Sequence, residues 1–150
     1  MENKFTGINS NDSSVVKSYL NFYSKLMNQQ NMLHDYVRTS TYYSAIFNNI
    51  GDFMNKTVLD VGTGSGILAV FCAMAGAKKV YAVEASDAVK YAHVLIDFHN
   101  LSDKIILINS KVEDLNENQI EKVDVIISEP LGVMLINERM IESYLKARDK

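Results

Sequence analysis

Three glycines at alternate positions, Gly62, Gly64 and Gly66, constrain this chain more than any other feature. They follow Thr57–Val61, a β-branched and aliphatic run that suits a buried strand up to Asp60. They precede an apolar helical run from Ile67 to Ala75. A strand that turns over glycines into a helix is either a ligand loop or a plain tight turn. Glycine permits positive φ, and its missing Cβ lets a ligand lie against backbone N–H groups at a helix N-terminus. The spacing is G-x-G-x-G, not the G-x-G-x-x-G of dinucleotide folds, and no Gly-Lys-Ser/Thr follows as in a P-loop.

A second signal strengthens the ligand reading. Lys79–Glu84 reads as the next parallel strand, ending in an acid about 20 residues after the loop, where α/β nucleotide folds place a carboxylate on ribose hydroxyls. The bland alternative for Glu84 is a solvated strand end.

At 150 residues the chain is long enough for one domain with a real core, and 47% hydrophobic content places it among soluble globular proteins. A net charge of −3 with interspersed signs argues against polyanion binding as the main business. Cys72 is the single cysteine, set in an apolar helical run, so it reads as a small buried hydrophobe in a reducing compartment. No apolar run reaches transmembrane length and the N-terminus has no signal-peptide core, so the expectation is an intracellular soluble protein.

Residues 1–14 are polar and rich in Asn and Ser, which reads as a disordered tail. N-terminal helices are expected over residues 15–56. Val15, Tyr19, Phe22, Tyr23, Leu26 and Met27 share one helical face, and a second helix starts near Asn31 or Thr39 and closes at Gly51 as a C′ residue. The α/β unit is expected over 57–150. Ser86 and Asp87 offer an N-cap for a helix to about Asn100, Lys104–Asn109 and Val123–Ser128 read as strands three and four, and Glu113 to Glu121 reads as a loop or short helix. A last helix begins near Asn137. Four strands alternating with helices predict a parallel sheet in the order 3-2-1-4, with the ligand at the C-terminal strand edges and an uncovered edge at strand four.

Several short stretches, in order and spacing, resemble class I methyltransferases that use S-adenosylmethionine, with their Rossmann-like α/β sheet. The chain most resembles the coactivator-associated type of protein arginine methyltransferase. These stretches are Gln29-Gln30-Asn31-Met32, Asp35-Tyr36-Val37-Arg38-Thr39, Val58–Gly62, Tyr81–Ser86, Lys111-Val112-Glu113, Ser128-Glu129-Pro130 and Asn137-Glu138-Arg139-Met140. The likeness runs from about Val15 to Leu145.

The resemblance implies roles. Arg38 would pair with the carboxylate of the cofactor's methionine part, Asp60 with the backbone of Gly62 and Gly64 would receive its amino acid end, and Glu84 would accept both ribose hydroxyls. Val112 and Glu113 would meet the adenine edge, while Gln29, Met32 and Ser143 would line the remaining wall; for Met32, helix packing is an equal alternative. Tyr19 and Tyr23 belong to a helix that would fold over the cofactor and shape the arginine site, where Met140 and Met32 would stand beside the acceptor nitrogen as in enzymes making asymmetric dimethylarginine. Asp35 would orient a histidine from the family's C-terminal half.

Glu129 and Glu138 would be the catalytic pair. Arginine is too weak an acid for simple deprotonation, so its nucleophile must come from polarisation by carboxylates. The resemblance further implies arginine-containing protein substrates such as histones or RNA-binding proteins, a nuclear or cytoplasmic location and, for the full-length relative, a homodimer. No nucleic-acid, membrane or metal partner is expected: His34, His93 and His99 show no ligand spacing. Leu20, Val133 and Ile136 depart from the family's aromatic residues, which bears on the shape of the acceptor site. The family's C-terminal barrel with its Thr-His-Trp loop is absent, and the chain has no Trp. The 150 residues therefore read as the N-terminal portion of an enzyme, inactive alone. The competing readings are an inactive module that binds cofactor or a partner, and half of a nicotinamide-dependent oxidoreductase, which the glycine spacing disfavours.

Overall fold

The computed structural model describes residues 13–116, 118–132, 134–135 and 138–149. Four short parallel strands form its centre: β1 (Thr57–Val61), β2 (Lys79–Glu84), β3 (Ile105–Asn109) and β4 (Val125–Ser128), in the order β3-β2-β1-β4. The expected sheet order is the observed one. All five residues of β1 are buried, as a strand covered on both faces requires. β1 pairs with β2 in a register that sets Val61 beside Val83, and with β4 so that Val61 lies beside Ser128. The order reverses between β1 and β4, which opens the crevice at the C-terminal strand ends.

Strand alternation divides the core in two. Val58, Val80, Ala82 and Ile105 face one way and pack with α3 (Tyr36–Phe47), α5 (Ile67–Met74) and α6 (Val89–Phe98) through Ile46, Val70, Ala92 and Ile96. Leu59, Val61, Tyr81 and Val83 face the other way, against Ala147 and Met140 of α7 (Met140–Arg148) and Val112 of a 3-10 turn (Val112–Asp114). Cys72 is fully buried in the first cluster, and that burial pushes its thiol well above the ordinary cysteine value.

The N-terminal helices differ from expectation. The expected single face from Val15 to Met27 is split between α1 (Ser13–Tyr23) and α2 (Leu26–His34), with Lys25 extended at φ −81°, ψ 129°. Side chains take over backbone partners at the break: Ser24 Oγ donates to Asn21 O (2.8 Å) and Asn28 Nδ2 to Phe22 O (2.6 Å). Ser13 and Ser14 already belong to α1, while residues 1–12 of the expected tail lie outside the described residues.

Gly51 does not terminate a helix. It lies inside the short α4 (Ile50–Phe53), and the preceding break falls at Asn48 and Asn49, whose Nδ2 donates to Ala45 O (2.7 Å). The left-handed residue after α4 is Asn55, at φ 60°. The last helix starts at Met140, not near Asn137; Val133, Ile136 and Asn137 lie outside the described residues. No helix among the described residues is long and apolar enough to cross a membrane.

Ile46, 1% exposed, anchors α3 in the first core. Ile46→Ala is expected to lower unfolding stability by about 2–5 kcal/mol in urea denaturation, whereas the exposed Val94→Ala should change it by less than about 0.5 kcal/mol.

Candidate functional site

The glycine loop folds back over β2. Gly62, Gly64 and Gly66 sit at φ 71°, 56° and 86°, in the left-handed region that favours glycine. The N–H groups of Gly62 and Thr63 both donate to Val83 O at 2.9 Å, and Gly64 N–H donates to Glu84 Oε2 at 2.8 Å. Glu84 Oε1 accepts from Ser86 N–H at 2.7 Å. These two bonds fix the direction of the carboxylate. An ionised carboxylate has about four acceptor positions, so capacity remains for further donors.

Space against this loop is filled from two sides. A Cβ on Gly64 would lie 2.9 Å from Gln29 Oε1, and one on Gly62 would lie 3.1 Å from Met140 Cε. Around the loop runs a cleft of about 610 Å³, in the usual range for small-molecule sites. Tyr19, Tyr23, Gln29, Met32, Arg38, Gly62 and Gly64 line it, as do Glu84, Val112, Glu113, Glu129, Glu138, Met140 and Ser143. Of the site residues expected from the sequence, only Asp60 is not among those lining it.

Asp60 lies behind the loop, fully buried. Its Oδ2 accepts from Thr63 Oγ1 at 2.5 Å, whereas Oδ1 meets no donor at hydrogen-bonding geometry. Burial pushes its carboxyl up to about 7, with the nearby Glu84 adding to the rise and the Thr63 hydroxyl and Ala69 N–H opposing it. Its position holds the loop from beneath through Thr63.

Two further carboxylates of the cleft, Glu129 and Glu138, are engaged by side chains of the N-terminal helices. Arg38 Nη2 pairs with Glu129 Oε2 at 3.1 Å, both side chains being about a quarter exposed, and its Nη1 donates to Met32 O at 3.4 Å. Tyr23 OH donates to Glu138 Oε1 at 2.7 Å and Tyr19 OH to Glu138 Oε2 at 3.2 Å. Burial first, and Glu138 next, push both phenols above their ordinary value, so they remain donors. Asp35 Oδ1 caps α3 by accepting from Arg38 N–H at 3.0 Å, which fixes the turn that presents Arg38. On the far wall Ser143 Oγ donates to Glu113 Oε1 at 2.5 Å, tying α7 to the 3-10 turn.

Several lining residues have no site role in the sequence analysis, although Lys111, Val15 and Leu20 stand there in a matching stretch, on the Tyr19 helix face and among the departures. Thr63, Ser65, Ser110 and Lys111 are loop positions beside expected ones, and Val15, Val16 and Leu20 extend the face of Tyr19. The helical spacing of that face was the available signal, but it reads equally as core packing. Among the described residues no group of metal-binding side chains gathers.

Comparison with known proteins gives a consistent picture. A family model described as ribosomal protein L11 methyltransferase (PrmA) matches residues 9–147. The chain is 54% identical over 146 residues to the histone-arginine methyltransferase CARMER of Anopheles gambiae, covering 97% of this chain and 23% of that protein. It is 52% identical over 149 residues to a probable histone-arginine methyltransferase 1.3 of Arabidopsis thaliana, covering 99% of this chain and 28% of that one. The chain thus spans about a quarter of the length of these curated relatives. Among solved structures, protein arginine methyltransferase 10 of Arabidopsis thaliana superposes with a TM-score of 0.84 at 50% identity, over 87% of this chain and 37% of that one. A Trypanosoma brucei PRMT1 enzyme-prozyme heterotetrameric complex with AdoHcy gives 0.81 at 41% identity, over 85% of this chain and 40% of that one.

The raised Asp60 carboxyl has a signed consequence. The folded state keeps a proton that the unfolded chain releases above 3.8, so this residue's contribution to stability is full at low pH, falls as pH rises toward about 7 and is flat beyond. Thermal denaturation of wild type and Asp60→Asn across that window is expected to show wild type losing stability relative to the variant as pH rises.

Proposed function

This chain belongs to the methyltransferase family whose model it matches, and we propose that it is the S-adenosylmethionine-binding part of a protein arginine N-methyltransferase. The observation that carries this reading is the convergence of a glycine loop, an aimed strand-end carboxylate and two further glutamates on one cleft. In the proposal residues 57–150 form the cofactor domain and the helices over residues 15–56 cover it.

The side chains present fit such a cofactor. Glu84, held by Gly64 and Ser86, is an acceptor for the ribose hydroxyls, and the glycine loop lines the cleft with backbone that a ligand can approach closely. Val112 and Glu113 would take the adenine edge. Arg38 would take the methionine carboxylate; a guanidinium has five N–H donors in a planar fork, enough to hold Glu129 and a second carboxylate together. Gln29, Met32 and Ser143 would complete the wall, with Asp60 acting through the loop that Thr63 ties to it.

When bound, S-adenosylmethionine supplies a methyl group on a positively charged sulfur. The residues of this chain prepare the acceptor. Glu129 and Glu138 would grip a substrate guanidinium, draw its positive charge toward the held nitrogens and leave the remaining nitrogen more nucleophilic. At about 4 Å and an effective dielectric of 20, each charge pair is worth on the order of 4 kcal/mol before desolvation. Holding reacting atoms in line would supply roughly 7–11 kcal/mol of the barrier. Met32 and Met140, both lining the cleft, would flank the acceptor nitrogen and favour mono- and asymmetric dimethylarginine. Arginine side chains of proteins, histones among them, are the substrates this reading names, which suits a nuclear or cytoplasmic setting.

Calorimetric titration with S-adenosylhomocysteine tests the cofactor half of the proposal. Glu84→Ala should weaken binding by about 2–4 kcal/mol, because charge-assisted hydrogen bonds to the ribose and to the loop are lost together. Affinity within about twofold of wild type would remove Glu84 from the site. In the complete enzyme, Glu129→Gln should abolish methyl transfer to an arginine peptide; near-normal turnover would overturn the polarisation role.

A further inference from the structure

One glycine near the site is not required by its backbone. Gly62, Gly64 and Gly66 hold left-handed φ values, whereas the φ of Gly132 lies outside that region. Gly132 stands three residues after Glu129, in the loop that follows β4, and is not among the residues lining the cleft. What it has instead is a close neighbour. A Cβ on Gly132 would lie 2.4 Å from both Cγ and Cδ of Glu138 and 2.6 Å from its Oε1. Carbon atoms in ordinary contact stand about 3.5–4.0 Å apart, so a methyl group at 132 would drive that carboxyl group back by about 1 Å or more.

The crowding comes from the path of the loop. Leu135 N–H donates to Gly132 O at 2.9 Å and the two residues form an antiparallel bridge, so the chain doubles back directly after the glycine. Met134 and Leu135 hold left-handed φ values of 55° and 68°, a conformation that persists in such residues only where the surroundings impose it. Glu138 then comes to lie against Gly132. Its two oxygens accept from Tyr23 OH at 2.7 Å and Tyr19 OH at 3.2 Å. The next residue, Arg139, turns at φ 58° and its Nε donates to Glu142 Oε1 at 2.9 Å, which fixes the backbone on that side. The three atoms nearest to the missing Cβ all belong to the Glu138 side chain, so that side chain, and not the fold, would yield.

We propose that Gly132 is a positioning residue for Glu138: by carrying no side chain it leaves the space in which that carboxylate stands. The chemical consequence rests on the function proposed above, in which Glu138 grips the substrate guanidinium. A misplacement of about 1 Å in a group that aligns reacting atoms lowers turnover on the order of 100-fold. Glu84 and Arg38, the groups assigned to the cofactor, are held by other partners, Gly64 and Ser86 for the first and Glu129 and Met32 for the second. Turnover and cofactor affinity should therefore separate when Gly132 is replaced.

The test is a double-variant cycle on this 150-residue chain, read by thermal denaturation, with calorimetric titration of S-adenosylhomocysteine alongside. Gly132→Ala should lower Tm by roughly 2–4 °C, as Glu138→Ala does, because each gives up the bonds to the phenols. The double variant G132A/E138A should melt no lower than E138A, since the space is then free. Affinity of G132A for S-adenosylhomocysteine should stay within about twofold of wild type. In the complete enzyme, G132A should lower kcat for an arginine peptide about 100-fold while KM for S-adenosylmethionine barely moves. An equal loss of Tm in the E138A background, or failure of both G132A and the double variant to fold, would show that the glycine serves the backbone and would overturn the proposal. Near-normal kcat in G132A beside a collapsed kcat in E138Q would overturn it too. Near-normal kcat in both variants would sink the catalytic reading of Glu138, with the Tm cycle still deciding whether Gly132 places it.

Discussion

The site depends on one contact, the bond from Gly64 N–H to the carboxylate of Glu84. It joins the loop after β1 to the end of β2, and it exists because parallel pairing brings Val61 beside Val83 and leaves the next residues of both strands facing across the crevice. A glycine is required there twice over, for the left-handed φ and because a side chain would strike Gln29. With that bond made, the loop has one shape, Glu84 has one direction, and the N-terminus of α5 is fixed above Asp60.

Negative charge gathers around this contact. Glu84, Glu129 and Glu138 all line the cleft at or near the C-terminal strand ends, and Arg38 forms the ion pair described among them. Such a cleft favours cationic ligands in general. Its cost is visible at Asp60, whose carboxyl is driven up by burial and by its neighbour Glu84. The N-terminal turn of α5 offsets part of that cost, since the Ala69 N–H lies where the helix presents its positive end.

The two halves of the cleft are coupled through side chains that each serve both. Arg38 reaches from α3 to Glu129 while its backbone N–H is capped by Asp35, and Gln29 reaches from α2 to both the glycine loop and the end of α1. None of these helices is long, and α1 has no place in either core. Helix α3 is nevertheless anchored in the first core by Ile46, so it is the placement of α1 that rests on polar contacts at the cleft more than on buried area.

Much of this was legible in the chain itself. Strands β1 and β2 announce themselves because buried parallel strands are near-continuous apolar runs, and G-x-G-x-G cannot serve as ordinary helix or strand. From these and the strand–helix alternation the order β3-β2-β1-β4 follows, and with it the side of the sheet on which Glu84 and Glu129 emerge. Helix boundaries were harder to read where Asn and Ser side chains capture backbone groups, as at Ser24 and Asn49, because those local bonds leave the hydrophobic period unchanged. What only the tertiary structure decided is which charges meet. Nothing in the spacing of Arg38 and Glu129, or of Tyr23 and Glu138, pairs residues 91 and 115 positions apart. Those contacts arise when the sheet brings the loop after β4 beneath helices that precede β1, and proximity of that kind is a property of the fold.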